Sequence, residues 1–198
     1  DFENYDVVLV DNSKDEKFSE KIRKLGLKVI RGKYSDNVKQ RIIESRNLLL
    51  QYVLDNDYDY LLSLEQDVIP PKDIIKKLIA HGDYIVTGVY FNYNINNGVK
   101  MLTPMLWKSV GGDEVAYISE EEVFSKDYFQ VMACGLGCVL ISREVLGFVK
   151  FRYDDSEGCY DDMFFCLDAN NKGYGIFVDS SVVCTHLIKG KKFDLDNL

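Results

Sequence analysis

The feature that most constrains this chain is an alternation. Short apolar runs rich in Val, Ile, Leu and Tyr take turns with stretches whose apolar residues recur every three or four positions. "YDVVLVDNS" is an apolar run that ends in the helix-capping types Asp11, Asn12 and Ser13. "KDEKFSEKIRKLG" follows, with Phe18, Ile22 and Leu25 at helical spacing and Gly26 as a stop. "LKVIRG" reads as a short strand, and "SDNVKQRIIESRNLLLQYVLDN" as a long amphipathic helix capped by Ser35 or Asp36. "YDYLLSLEQD" is the next strand, after which Pro70 and Pro71 suit the first turn of the helix "PKDIIKKLIAHG". "YIVTGVYF" is a strand again. This order predicts an α/β fold, a mostly parallel Rossmann-like sheet flanked by helices, in a single domain.

The regularity ends at residues 92–128, which mix Asn, Gly and Glu around one Trp and read as loops and short strands. "FQVMACGLGCVLIS" returns as apolar strand, "REVLGFV" as a short helix, and "DDMFFCLDANNKG" as a helix stopped by Gly173, with Met163, Cys166 and Leu167 facing the core. "YGIFVDSSVVCTHL" supplies one or two final strands before a polar tail.

Composition narrows the function. A net charge of −8 argues against binding a nucleic-acid polymer through its backbone. No run approaches the roughly 18 apolar residues of a membrane span. The five cysteines, Cys134, Cys138, Cys159, Cys166 and Cys184, lack CxxC spacing and read as buried free thiols of a reducing compartment. The expected location is therefore cytoplasmic, or peripheral to a membrane.

In parallel sheets ligands sit beyond the carboxyl ends of the strands. Glu65-Gln66-Asp67 and Asp11 fall at such ends. In extended chain Glu65 and Asp67 would point to one side and Gln66 to the other. Paired carboxylates suit Mg²⁺ or Mn²⁺, which are commonly held by one or two carboxylates plus substrate phosphates. As ordinary strand-end residues they would cap the next helix. His186 acquires a role if it meets Asp67 in space; His81, beside Gly82, reads as a helix C-terminal residue. Asp161-Asp162 opens a helix, where the macrodipole favours acids, and either could serve as a general base. Gly135 and Gly137 in "CGLGC" mark a backbone that something approaches closely, or a bulge. Arg46 reads as a polar helix position or as a pyrophosphate contact. Neither G-x-x-x-x-G-K-[ST] nor G-x-G-x-x-G occurs.

Taken in order, "VVLVDNS", "SRNLLL", "YLLSLEQDVIPP", "ACGLGCVLISREVL" and "DDMFFCLDANNKGYGIFVDSSVVCTHL" resemble the GT-A glycosyltransferases, in particular the family 2-like group. The likeness runs from Tyr5 to His186 and leaves residues 92–128 without a matching motif. The resemblance implies that Glu65-Gln66-Asp67 is a variant of the family's DXD motif, which binds the divalent metal and the donor's ribose and diphosphate. Glu65 stands where the first Asp is usual, so Asp67 is the firmer metal ligand. Gln66 enters as the middle of that motif. Asp11 then meets the nucleobase or ribose, and Arg46 the nucleotide. Gly135 and Gly137 line the sugar and acceptor pocket, and His186 completes the metal site. Asp161-Asp162 matches a Glu-Asp pair whose second member is the catalytic base of inverting members. The family's usual first strand precedes the "VDNS" strand and forms part of the nucleotide pocket; here either residues before Asp1 supply it or the sheet begins differently.

The function implied is a glycosyltransferase that depends on Mn²⁺ or Mg²⁺. It would move a sugar from a nucleotide-diphosphate sugar donor to a hydroxyl of a glycan, lipid or protein acceptor. Lys189, Lys191 and Lys192 would add positive charge near the diphosphate, or stand as solvated tail lysines. A nucleotidyltransferase of the same superfold, which would want a Gly-rich, Arg-containing loop, and a non-catalytic glycan- or partner-binding domain are the competing readings.

Overall fold

The computed structural model describes residues 2–96, 99–112, 114–154, 160–188 and 191–193. Cys159 and Lys189 lie outside the described residues, as do the side chains of Lys191 and Lys192. The chain opens with β1 (Val8–Asp11), α1 (Lys17–Lys24), β2 (Lys28–Arg31), α2 (Val38–Asp55), β3 (Tyr60–Leu64), β4 (Val68–Ile69), α3 (Ile74–Ala80) and β5 (Ile85–Val89). The middle is built from β6 (Phe91–Asn96), β7 (Val99–Pro104), β8 (Leu106–Gly111), β9 (Glu114–Tyr117), α4 (Glu120–Phe124), β10 (Tyr128–Val131) and β11 (Ala133–Cys134). It closes with β12 (Cys138–Ser142), α5 (Arg143–Phe148), α6 (Asp161–Asn171), β13 (Ile176–Val183), β14 (Thr185–Ile188) and β15 (Lys191–Phe193).

The mostly parallel Rossmann-like sheet expected from the alternation is not what forms. The central sheet has five strands in the order β10-β13-β5-β12-β3, and four smaller sheets surround it. Only β13 and β5 pair in parallel within it; β10 with β13, β12 with β5 and β12 with β3 are antiparallel. The parallel pair β1-β2 forms a sheet of its own. The physical reason lies in residues 92–134. A parallel neighbour for β5 needs a crossover that carries the chain back to the edge where β5 began. Here no such crossover joins β5 to its neighbour β12: residues 92–134 form two hairpins, α4, the edge strand β10 antiparallel to β13, and β11. After β11 the chain enters β12 at Cys138, opposite Leu64 at the carboxyl end of β3, and so runs the other way. β3, β5 and β13 keep a common direction, so their carboxyl ends still share one edge.

Both faces of this sheet are covered, which explains its uninterrupted apolar strands. On β5, Ile85 enters one core with Val139, Ile141, Phe165, Ile176 and Val178, while Val86 enters the other with Leu78, Leu140 and Val182. The two-residue period of the strands thus sorts side chains between two cores.

Several local expectations shift. Asn37, not Ser35 or Asp36, caps α2, its side chain accepting from Gln40 N at 3.1 Å. Pro70 and Pro71 lie ahead of α3 rather than in its first turn, and Asp73 stands at the cap position. On α6, Cys166 is buried and Met163 packs against the core, but Leu167 faces outward, and Phe164, Phe165 and Ala169 fill its place. On α1, Phe18 and Leu25 are exposed while Ser19 is fully buried. That inversion has a cause: the Ser19 hydroxyl donates to Asp11, so this helix turns a polar face inward. Gly26 does end the segment, at φ +79°.

Candidate functional site

At the shared carboxyl edge of β3, β5 and β13 lies a cavity of about 490 Å³. One wall is charged and carries Arg46, Glu65, Asp161, Asp162 and His186. Four segments far apart in sequence deliver these groups: α2, the turn after β3, the start of α6, and β14.

Glu65-Gln66-Asp67 is a turn and not extended chain, since Val68 N donates to Glu65 O at 3.0 Å. The two carboxylates therefore do not share a strand face. Glu65 accepts from Arg46 Nη2 at 2.6 Å, Asp67 turns toward His186, and Gln66 is exposed away from the cavity lining. The turn is tied down on both sides, with Glu65 N donating to Gly137 O at 3.1 Å and Leu187 N to Asp67 O at 2.7 Å.

Arg46 is the hub of the charged wall. Besides Glu65, its Nε lies 2.7 Å from Asp161 Oδ2. Neither of these two atoms has a hydrogen-bond partner among the described residues, so charge alone holds that contact. Its Nη1 reaches Ser63 Oγ at 3.2 Å, which anchors the guanidinium to β3.

Asp162 is the unbalanced member. Burial pushes its carboxyl up to about 6, and the negative charges of Asp161 and Glu65 add to the effect. The hydrogen bond from Met163 N and the nearby Arg46 oppose that rise without cancelling it. The start of α6 would ordinarily favour the charged form; here desolvation outweighs it.

His186 and Asp67 do meet. His186 Nε2 lies 3.5 Å from Asp67 Oδ2, and His186 Nδ1 lies 2.6 Å from Phe91 O. A carbonyl only accepts, so Nδ1 carries the proton. In the neutral ring Nε2 then turns a lone pair toward a carboxylate that also offers only lone pairs. Such a pair is a ready seat for a cation, and a histidine oriented through its other nitrogen is the usual arrangement of a metal ligand. The tilted edge of Tyr90, 5.5 Å away ring to ring, fixes the imidazole from the side.

Gly135 and Gly137 serve Tyr90 rather than lining the cavity themselves. A Cβ on Gly135 would collide with the Tyr90 hydroxyl, and one on Gly137 would stand 2.7 Å from Tyr90 Cζ. The close approach inferred from "CGLGC" is therefore made by an internal ring, whose hydroxyl accepts from Gly137 N at 3.1 Å. Burial raises the Tyr90 phenol well above its ordinary range, and the charge on Glu65 raises it further, so it stays protonated.

Asp11 is placed elsewhere. It is buried at the end of β1 and outside this cavity, its carboxylate receiving Ser13 N at 2.9 Å together with the Ser13 and Ser19 hydroxyls and Arg31. Burial would raise its pKa, but those hydrogen bonds and Arg31 hold it well below the usual carboxylate range. His81 forms a pair with Asp179 at 2.9 Å and stacks on Tyr128. Cys134, Cys138, Cys166 and Cys184 are buried free thiols, as their apolar surroundings suggested.

The other wall went unseen in the sequence. It consists of Asn92, Asn94 and Thr103 from β6 and β7, with Trp107 and Tyr117 from β8 and β9. The signal was present in "FNYNIN", where polar residues alternate as on a two-faced ribbon.

Among the described residues no group of three or more His, Cys, Asp or Glu side chains is gathered as a metal cage. His186 and Asp67 offer two donor atoms. No helix in the described residues is long and apolar enough to cross a membrane.

No family profile and no curated protein matches the sequence. Among solved structures, the chain is similar to the one titled "Crystal Structure of A197 from STIV". Identity is 19%, the TM-score is 0.52, and the match covers 91% of this chain and 84% of that one. At that identity the likeness is one of fold.

Proposed function

We propose that the cavity is the donor site of a metal-dependent glycosyltransferase. It moves a sugar from a nucleotide-diphosphate sugar to an acceptor hydroxyl. The observation that carries this reading is the confrontation of His186 Nε2 with Asp67 Oδ2 beside a wall of Arg46, Glu65, Asp161 and Asp162.

Charge supports it. Three carboxylates line the cavity against one arginine, with Asp67 adding a fourth at its edge. A diphosphate would be repelled from such a site unless a divalent cation came with it. Mg²⁺ or Mn²⁺ held by Asp67 and His186, with Glu65 in reach through its turn, would stabilise the charge on the departing diphosphate. The residues of the chain divide the remaining work. Arg46 holds Glu65 and Asp161 in place and neutralises part of their charge. Asp162, with its carboxyl pushed up to about 6, is ionised at neutral pH yet basic enough to accept a proton at Oδ from the acceptor hydroxyl. Tyr90 and Leu136 close the floor and exclude water from beneath. A chain of this kind, with buried thiols, belongs in the cytoplasm.

Calorimetric titration with UDP and with GDP, with and without Mn²⁺, tests the reading. Heat of binding that requires Mn²⁺ supports the donor site and names the base. Absence of binding to both nucleotides in the presence of Mn²⁺ removes it.

A further inference from the structure

The cavity is chemically divided, and the division points to its second ligand. Beside the charged groups, part of the cavity lining is without an ionisable acid or base at neutral pH. Asn92 and Thr103 are direct cross-strand partners on β6 and β7, and Asn94 lies two residues on, so all three share one face of that ribbon. Trp107 and Tyr117 are direct partners on β8 and β9, with ring centroids 5.0 Å apart. Thr103 Oγ1 is buried without a hydrogen-bond partner among the described residues. A buried hydroxyl in that state costs free energy that a ligand's hydrogen bond would recover.

We infer that this wall is the acceptor subsite and that the acceptor is an uncharged carbohydrate. The inference rests on the donor-site reading and extends it to the second substrate. Amides and hydroxyls that donate and accept in one plane match the vicinal hydroxyls of a sugar, which do the same. An aromatic face matches the other half of a sugar's chemistry, its patch of axial C–H bonds. Anionic acceptors are disfavoured, because this wall offers no cation and the facing wall is acidic. A purely apolar acceptor would leave Thr103 Oγ1 without a hydrogen bond and offer nothing to the Asn92 and Asn94 amides. Asp162 acts electrostatically on Tyr117 and raises its phenol, which places the base beside the aromatic platform. A sugar ring resting on Tyr117 would therefore present a hydroxyl to the group proposed to deprotonate it.

The chain contains a single tryptophan, Trp107, and it lies in this wall. Its fluorescence reports the subsite directly. The experiment titrates methyl glucoside, methyl galactoside, methyl mannoside and methyl N-acetylglucosaminide, each alone and again with UDP or GDP plus Mn²⁺. Saturation-transfer NMR is run on the same samples. At least one glycoside is expected to perturb Trp107 emission and receive saturation. Tyr117→Ala and Asn94→Ala should each weaken that response about tenfold or more. Circular dichroism confirms that the variants fold, and Asn94, on a half-exposed ribbon, serves if Tyr117→Ala does not. No response to any glycoside under any condition overturns the inference, as does a response undiminished from the parent's in both variants. Nucleotide binding with Mn²⁺ but no glycoside response would leave the donor site standing and the acceptor assignment rejected. Glycoside binding without nucleotide binding would remove the donor site and with it the acceptor role, leaving the wall a carbohydrate-binding surface only.

Discussion

His186 Nε2 faces Asp67 Oδ2 across 3.5 Å, while the proton of the ring is already committed to Phe91 O on the other side. Two acceptors held that near one another lack the donor that would make them a hydrogen-bonded pair in the neutral state. The backbone enforces the confrontation. β4 and β14 pair in antiparallel register at His186 and Val68, and Leu187 N holds Asp67 O.

Asp67→Ala should therefore reduce Mn²⁺-dependent UDP or GDP affinity at least tenfold and leave the fold intact, because the carboxylate is 45% exposed. His186→Gln should do the same with a larger loss of stability, since that ring is buried. Calorimetry and thermal unfolding separate the two effects. Unchanged Mn²⁺-dependent affinity in both variants would sink the metal site.

Asp162→Asn is expected to lower turnover about 10²–10⁴-fold with donor affinity little altered. The same variant should be more stable than the parent at pH 7. The sign follows from the raised carboxyl. The folded state holds this proton more tightly than the unfolded chain, whose value is near 3.8, so stability is lost as pH rises from there to about 6. Removing the charge should return roughly 1–3 kcal/mol at pH 7 and almost nothing below pH 4. Denaturant titrations at the two pH values check this. The parent's rate should also fall on acidification through about pH 6.

Arg46→Ala removes the one guanidinium that faces Glu65 and Asp161 together. With Asp161 largely buried, the variant should lose about 2–4 kcal/mol. The rate profile should shift so that Asp162 ionises at higher pH, because a favourable charge has left it. A pH-rate profile that does not move would show Arg46 to be structural only.

Gly135→Ala should destabilise by about 1–3 kcal/mol, the usual range for overpacking, because Tyr90 has nowhere to retreat. Adding Tyr90→Phe should recover part of that loss by removing the colliding hydroxyl. If the double variant is no better than the single, the collision is not the cause.

How much of this was legible in the sequence varies with the range of the interaction that fixes each part. β1, α1, β2, α2, β3 and α3 declare themselves through local periodicity and stop signals such as Gly26, and they form close to where those signals fall. The direction of β12 does not, because "CVLIS" reads the same whichever way it runs; the route through residues 92–134 decides it. Asp67 and His186 were nameable one at a time, yet their meeting depends on β4 pairing with β14 across more than a hundred residues. Phe18 and Leu25 misled for a related reason. Spacing shows that a helix has an apolar stripe, but Asp11 draws Ser19 inward, so that only Ile22 of the stripe is half-buried while Phe18, and Leu25 just past the helix, are exposed. Gly135 and Gly137 signalled a close approach correctly and left its partner, Tyr90, unnamed.

The two walls of the cavity differ in what they are fastened to. The charged groups sit on α2, the turn after β3, the start of α6, and β14, which pairs with β4. β6 and β7, by contrast, hydrogen-bond as strands only to each other among the described residues. Substitutions on the described strands of that ribbon would disturb little of the strand pairing beyond it. If the cavity holds the two substrates proposed, its choice of acceptor can change on the ribbon while the groups beside it stay fixed by packing.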